Sequence, residues 1–250
     1  MPSPRPRRGR AARLSARAAH STDSLPALSD ERLTEIGLEP PEKKTGRILL
    51  IACGALAREI LDIKAVNGLD HLDLTCLPAK LHLFPEKIIE QVEIAVRRYS
   101  ATYDKIYVVY ADCGTGGLLH AKCRDLGVEM IPGPHCYSFF EGNEKFADFA
   151  AAGEITAFYL TDFLVKQFDA FVWRPMGLDQ NPELRDMIFG NYTTLIYQSQ
   201  IKDPALVDKA RKCAARMGLA FEHRHTGYGD LATSLTRWSL HSSAKETRGK

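Results

Sequence analysis

Four of the six cysteines stand where cysteine could do more than pack. Cys53 closes an apolar run and is followed by Gly54, and Cys76 ends the segment LDLTC. Cys113 lies in Asp112-Cys113-Gly114-Thr115-Gly116-Gly117, and Cys136 in Gly133-Pro134-His135-Cys136-Tyr137, with Phe139, Phe140 and Glu141 close behind. His82 sits in the loop after the Cys76 segment. Thiolate and imidazole ligands drawn from separate loops can assemble a metal site without a paired C-x-x-C pattern. Cys53, Cys113 and Cys136, or its neighbour His135, are the expected ligands, with His82 and Glu141 as alternates. Adjacent residues point apart in extended chain, so only one of His135 and Cys136 is expected to reach a shared ion. That donor set suits zinc or another soft transition metal. Cys123 and Cys213 fall inside helical patterns and are expected to pack.

The glycine-rich segment admits two other chemistries. Cys113 precedes a turn and a helix whose dipole would lower its pKa, so it could act as a nucleophile, with Glu141 as a catalytic carboxyl. The amides of Gly114, Thr115, Gly116 and Gly117 could instead cradle a phosphate or carboxylate, with Tyr137 as a wall of the cofactor pocket. The segment lacks both the G-x-G-x-x-G spacing and a Walker lysine, which weighs against a nucleotide. His223 and His225 share a face of a terminal strand and could pair on a metal, although solvent-facing histidines are the simpler reading. Trp173-Arg174-Pro175 and the Gly227-Tyr228-Gly229-Asp230 loop could bind anions, but turn chemistry explains them as well.

The elements that must position these residues alternate. RILLIACG reads as a buried strand, ALAREILDIKAVNG as a helix, HLDLTCLPA as a second strand, and PEKIIEQVEIAVRRYSATY as an amphipathic helix opened by Pro85. KIYVVYADCGTGG is a third strand running into its turn, LLHAKCRDLG a helix, and VEMIPG a short fourth strand. The segment from 146 to 171 reads as one or two helices, and another helix starts near Asn181-Pro182. TTLIYQSQ then reads as a strand, DPALVDKARKCAARMG as a capped helix, and LAFEHRHTG as a closing strand. The fold class expected is α/β, a mostly parallel Rossmann-like sheet with flanking helices and a helical second half. All the strands are expected in one sheet, in a single domain over 45–235. In such sheets ligands bind beyond the carboxyl ends of the strands, which is where the Cys/His segments fall.

Composition sets limits. The apolar fraction of 45% and charged fraction of 26% are those of an ordinary globular chain. Apolar runs are strand-sized, so a membrane span is not expected. Residues 1–22 carry six arginines and no acidic residue, and removing those six from the formal charge of +2 leaves about −4 for the remainder. The folded part therefore has no general basic field, which argues against a nucleic-acid partner. Residues 1–44 are expected to be a disordered Arg-rich tail, with a transit peptide as its functional reading, and 236–250 a disordered C-terminal tail. No apolar stretch follows the arginines as a secretory signal requires, so a cytoplasmic location with free thiols is expected.

The segments CGALAREI, LHLFPEKI, YADCGTGG and GPHCYSFFEG together resemble the domain-of-unknown-function family numbered 1638, over a stretch from Arg47 to Asp230. Members carry Asn after the loop histidine, whereas this chain has Leu83. The resemblance implies a setting beside corrinoid-dependent methyltransferase components, and so a role in one-carbon or methylamine-type metabolism. On that reading the chain is a metal-dependent enzyme acting on a small molecule, with a corrinoid present only through a partner corrinoid protein or methyltransferase. The alternatives are a non-catalytic cofactor- or ligand-binding accessory protein and a metal-free cysteine-nucleophile enzyme.

Overall fold

Strand β1 (Ile48–Cys53) is buried at every position, as a parallel strand covered on both faces must be. The computed structural model describes residues 28–42, 47–151 and 156–240. Around β1 lies a four-stranded parallel sheet of order β2-β1-β3-β4, with β2 (Leu72–Leu77), β3 (Lys105–Val109) and β4 (Glu129–Met130). Ala52 is level with Cys76 on one side and Val109 on the other, so the carboxyl ends of the three long strands are aligned. The chain leaves β1 toward β2 and then returns across it to β3. That reversal opens a crevice between the loops after β1 and β3, the place where open α/β sheets take ligands.

Helices connect the strands. α2 (Ala57–Asn67) follows β1, α3 (Pro85–Tyr99) opens on the expected proline, and α4 (Leu118–Asp125) follows the glycine-rich turn. After β4 come α5 (Cys136–Glu141) and α6 (Asn143–Ala151). The chain then builds a second parallel sheet of order β5-β6-β7, with β5 (Ala157–Leu160), β6 (Thr194–Ser199) and β7 (Ala220–His225). α7 (Asp162–Lys166) and α8 (Arg185–Phe189) lie between β5 and β6. α9 (Pro204–Met217) carries the expected Asp203 cap and ends at Gly218 with φ +76°.

The expectation of one sheet is corrected. β4 is only two residues long and offers little edge for another strand, so β6 and β7 pair with β5 instead. β5 itself lies inside the stretch expected to be helical, because a four-residue apolar run carries no period that separates strand from helix. Each sheet has its own apolar core, one around Leu50 and Val108, the other around Leu195 and Tyr197.

Both expected boundaries move outward. Inside the expected tail, α1 (Asp30–Glu35) buries Leu33, and Arg58 donates to Asp30 at 2.8 Å. Leu38 exchanges backbone hydrogen bonds with Cys76, and Gly37 is required at φ +87° because any Cβ there would meet the Cys76 carbonyl. At the other end α10 (Gly229–Ser239) passes residue 235. Its Trp238 is fully buried, stacks on Tyr107 at 4.5 Å and donates to Glu129 at 2.7 Å. The Arg-rich segment and residues 241–250 lie outside the described residues.

Candidate metal centre

The loop after β3 is held to the loop after β4 by two backbone bonds, Asp112 N–H to the Gly133 carbonyl and Cys113 N–H to the Pro134 carbonyl. Between them Cys113 takes φ +47°, and among the described residues no other non-glycine residue has a positive φ. A side chain in that region costs about 1–2 kcal/mol, so the surroundings must hold it there. Asp112 does much of this, accepting from Thr115 Oγ1 at 2.8 Å and from the amides of Gly116 at 3.1 Å and Gly117 at 2.6 Å. Burial would raise the Asp112 pKa, but these donors outweigh it and hold the carboxyl below its ordinary value. The amides of Gly116 and Gly117, expected as part of an anion cradle, are therefore spent on the chain's own aspartate. Thr115 is bonded to the same carboxylate, while Gly114 borders the cavity described below.

His135 is extended and caps α5, whose first residue is Cys136. Ser138 pins this turn with its N–H and hydroxyl, both donating to the His135 carbonyl. The change from extended to helical backbone sends the two side chains apart. Cys136 reaches the ligand cluster, while the His135 ring stacks on Tyr137 at 4.7 Å, and Tyr137 stacks on Tyr159 at 5.1 Å.

His82 arrives on a short 3-10 turn, Ala79–Leu83, that follows β2. One ligand atom each from His82, Cys113 and Cys136 lies within 4.8 Å of the others, a group that could hold a metal ion. Cys53, expected in the ligand set, stands beside this group, its sulfur 3.5 Å from His82 Nδ1 and accepting from the Ala55 amide. His82, expected only as an alternate, is thus central. Leu83 is 40% exposed and does not border the cavity, so the family's asparagine position is not part of this wall.

Electrostatics couples the group. A hydrogen bond from Cys113 and contacts with His82 outweigh burial and hold the Cys136 thiol well below its ordinary value. Cys113 moves well upward, through its bond to Cys136 and through burial. The expected activation of Cys113 by the helix dipole is therefore not seen, and the more acidic thiol is Cys136. Burial alone would depress His82, but the charge of Cys53 and hydrogen bonds with Cys136 and Cys53 hold it well above its ordinary value. Two thiols and an imidazole are together donors that could hold a soft or borderline metal ion.

His82, Cys113 and Cys136 border a cavity of about 230 Å³ whose lining is mostly apolar. Leu56, His82, Tyr137 and Phe140 line it, and Thr161, Phe163 and Phe171 join them from around α7. The α7 side was not foreseen, because it depends on the second sheet. Beneath the crevice the Tyr110 hydroxyl is fully buried, against Cys53 and near Cys76 and Cys113. Burial and these thiols drive its pKa well upward, so it remains a phenol.

Glu141, expected as a catalytic or ligating carboxyl, is turned away. Its side chain is 2% exposed and bonds to Lys145 at 2.9 Å and Gln198 at 3.1 Å, with Arg224 nearby. Glu59 was missed. It is buried with Oε2 unpaired, and burial pushes its pKa up to about 8. The signal was present: Glu59 falls on the same helical stripe as Leu56 and Ile63.

Among the described residues no helix is long and apolar enough to cross a membrane. No curated protein and no solved structure matches the chain significantly. A family model does match, over residues 76–235, so that three of the four recognised motifs lie inside the match and CGALAREI lies before it. By that match the chain belongs to the family described as protein of unknown function, DUF1638.

Proposed function

We propose that the protein is a metal-dependent enzyme acting on a small molecule, with the ion held by His82, Cys113 and Cys136. The observation that carries this reading is the convergence of those three ligand atoms within 4.8 Å at the wall of an apolar cavity. Zinc fits the donors, and a bound ion would act as a Lewis acid that lowers the pKa of a substrate thiol. Cys53 would orient His82, and Tyr137, Phe140 and Phe163 would exclude water from the substrate.

A cavity of this size takes a small, largely apolar substrate with one soft donor end. Methyl transfer is the reaction class we favour. In that step the substrate thiol would lose its proton to solvent and its sulfur would take the methyl group, with a partner's corrinoid as the methyl donor that would retain the electron pair of the broken bond. The corrinoid protein or methyltransferase would dock at the cavity mouth. Elemental analysis of tag-free protein tests the centre: about one ion per chain is expected, lost in Cys113→Ser and Cys136→Ser. A metal-free preparation under anaerobic conditions without chelator overturns it.

A second reading is a metal-free cysteine enzyme, favoured by the placement of Cys136 beside His82 as a nucleophile beside a base. It predicts stoichiometric labelling of Cys136 by iodoacetamide at neutral pH, undiminished by added zinc.

A further inference from the structure

The register of the second sheet sets Tyr197 level with His223, and Ser199 level with His225. Side chains alternate along a strand, so all four residues stand on one face. That face carries a cavity of about 460 Å³ bordered by the first two turns of α9. The Ser199 hydroxyl lies 2.9 Å from His223 Nε2 and 3.1 Å from His225 Nδ1. Ser199 is 1% exposed, whereas both imidazoles are exposed to solvent.

Hydrogen bonding alone gives a constrained account of this cluster. A hydroxyl has one proton, so it can donate to only one of the two rings, and the other ring must be the donor. The same distances also suit metal coordination. Metal–nitrogen bonds of about 2.0–2.1 Å place neighbouring ligands about 3 Å apart, which is the spacing found between the serine oxygen and each ring nitrogen. The His223 ring is also packed on one face. It stacks on Tyr197 at 5.2 Å, and the Tyr197 hydroxyl donates to buried Asp162 at 2.5 Å. Asp208 borders the same cavity.

We propose that His223, His225 and Ser199 form a second metal site, at the carboxyl end of the second sheet and independent of the cysteine-containing centre. Its donors are imidazole and oxygen with no sulfur, a set that takes borderline divalent ions such as nickel(II), copper(II) or zinc. The two centres differ in softness, so one protein could hold different ions in each.

The test uses the full chain without a histidine tag. In equilibrium dialysis against nickel(II) at pH 7.5, the Cys113→Ala/Cys136→Ala variant should still bind about one ion per chain. Adding His223→Gln and His225→Gln should abolish that binding, and Ser199→Ala should weaken it. No ion bound by the cysteine variant, or an ion retained after both histidines are replaced, overturns the proposal. A measurement on the unaltered protein guards against variants that fail to fold. Nickel(II) at more than two equivalents per chain, enough to fill both centres, should broaden the imidazole proton signals of His223 and His225, and broadening confined to other histidines overturns the assignment. Neither result depends on whether the cysteine centre binds metal.

Discussion

His82 Nδ1 stands 3.5 Å from the sulfur of Cys53 and ties the loop after β2 to the end of β1. Three loops thus converge on the crevice where the strand order reverses, and the residue each contributes differs in its duty. Cys113 and Cys136 bring sulfur into the ligand group, His82 bridges, and Cys53 supports His82 from the strand end.

That division separates two variants. Cys136→Ser removes a ligand and should abolish zinc binding in chelator competition. Cys53→Ser removes a partner of His82 and should weaken zinc by about 10- to 100-fold while keeping one ion per chain. Equal and complete loss in both would place Cys53 among the ligands.

Cys113 is held in a conformation that suits glycine. In chelator-treated protein, Cys113→Gly and Cys113→Ala both delete the thiol, but only the alanine keeps a Cβ at φ +47°. The glycine variant should be the more stable by about 1 kcal/mol in urea denaturation. Alanine equal to or above glycine would mean the loop relaxes out of that conformation once the sulfur is gone.

Much of this centre was legible in the sequence because strand ends in a parallel sheet converge by construction. Cys53, His82, Cys113 and Cys136 could be gathered from that rule alone. What the rule could not supply was direction. His135 and Cys136 are neighbours, and only the switch from extended chain to helix between them decides which one reaches the centre. Glu141 lay close in sequence, yet a glutamate five residues beyond Cys136 stands about 140° round the helix and bonds to Lys145 and Gln198 instead. The second sheet was hidden for a different reason: β5 is four residues long, and so short an apolar run carries no period that separates strand from helix. With it went the α7 wall of the cavity and the facing of His223 and His225 toward Ser199.

Asp162 knits the ends of β5 and β6. Its carboxylate accepts from the Tyr197 hydroxyl and from the amides of Gln200 and Ile201. Tyr197→Phe keeps the ring against His223 but removes one donor from a buried carboxylate, and should cost about 1–3 kcal/mol in urea denaturation. Nickel binding at His223 and His225 should survive, because the stacking surface is unchanged. Nickel lost without loss of stability would show that the hydroxyl orients the ring.

Glu59 gives the fold a pH dependence of definite sign. Its carboxyl is fully buried, Oε2 has no partner, and burial raises its pKa from 4.5 to about 8. Asp162 and Asp62 reinforce the rise, while its own backbone and Lys166 oppose it. Below pH 4.5 the carboxyl is protonated in both folded and unfolded chains, and it imposes no penalty. Between 4.5 and about 8 the unfolded chain ionises and the folded chain does not, so the unfolded state binds fewer protons and stability falls as pH rises. Above about 8 both ionise and the loss levels off. Glu59→Gln removes the titration, so its stability relative to the native chain should grow from pH 5 to pH 8, by on the order of a few kcal/mol, and then plateau. The measurement is urea unfolding of both proteins across pH 5–9. A difference that stays flat over that range would mean that Glu59 ionises in the folded protein as readily as in water.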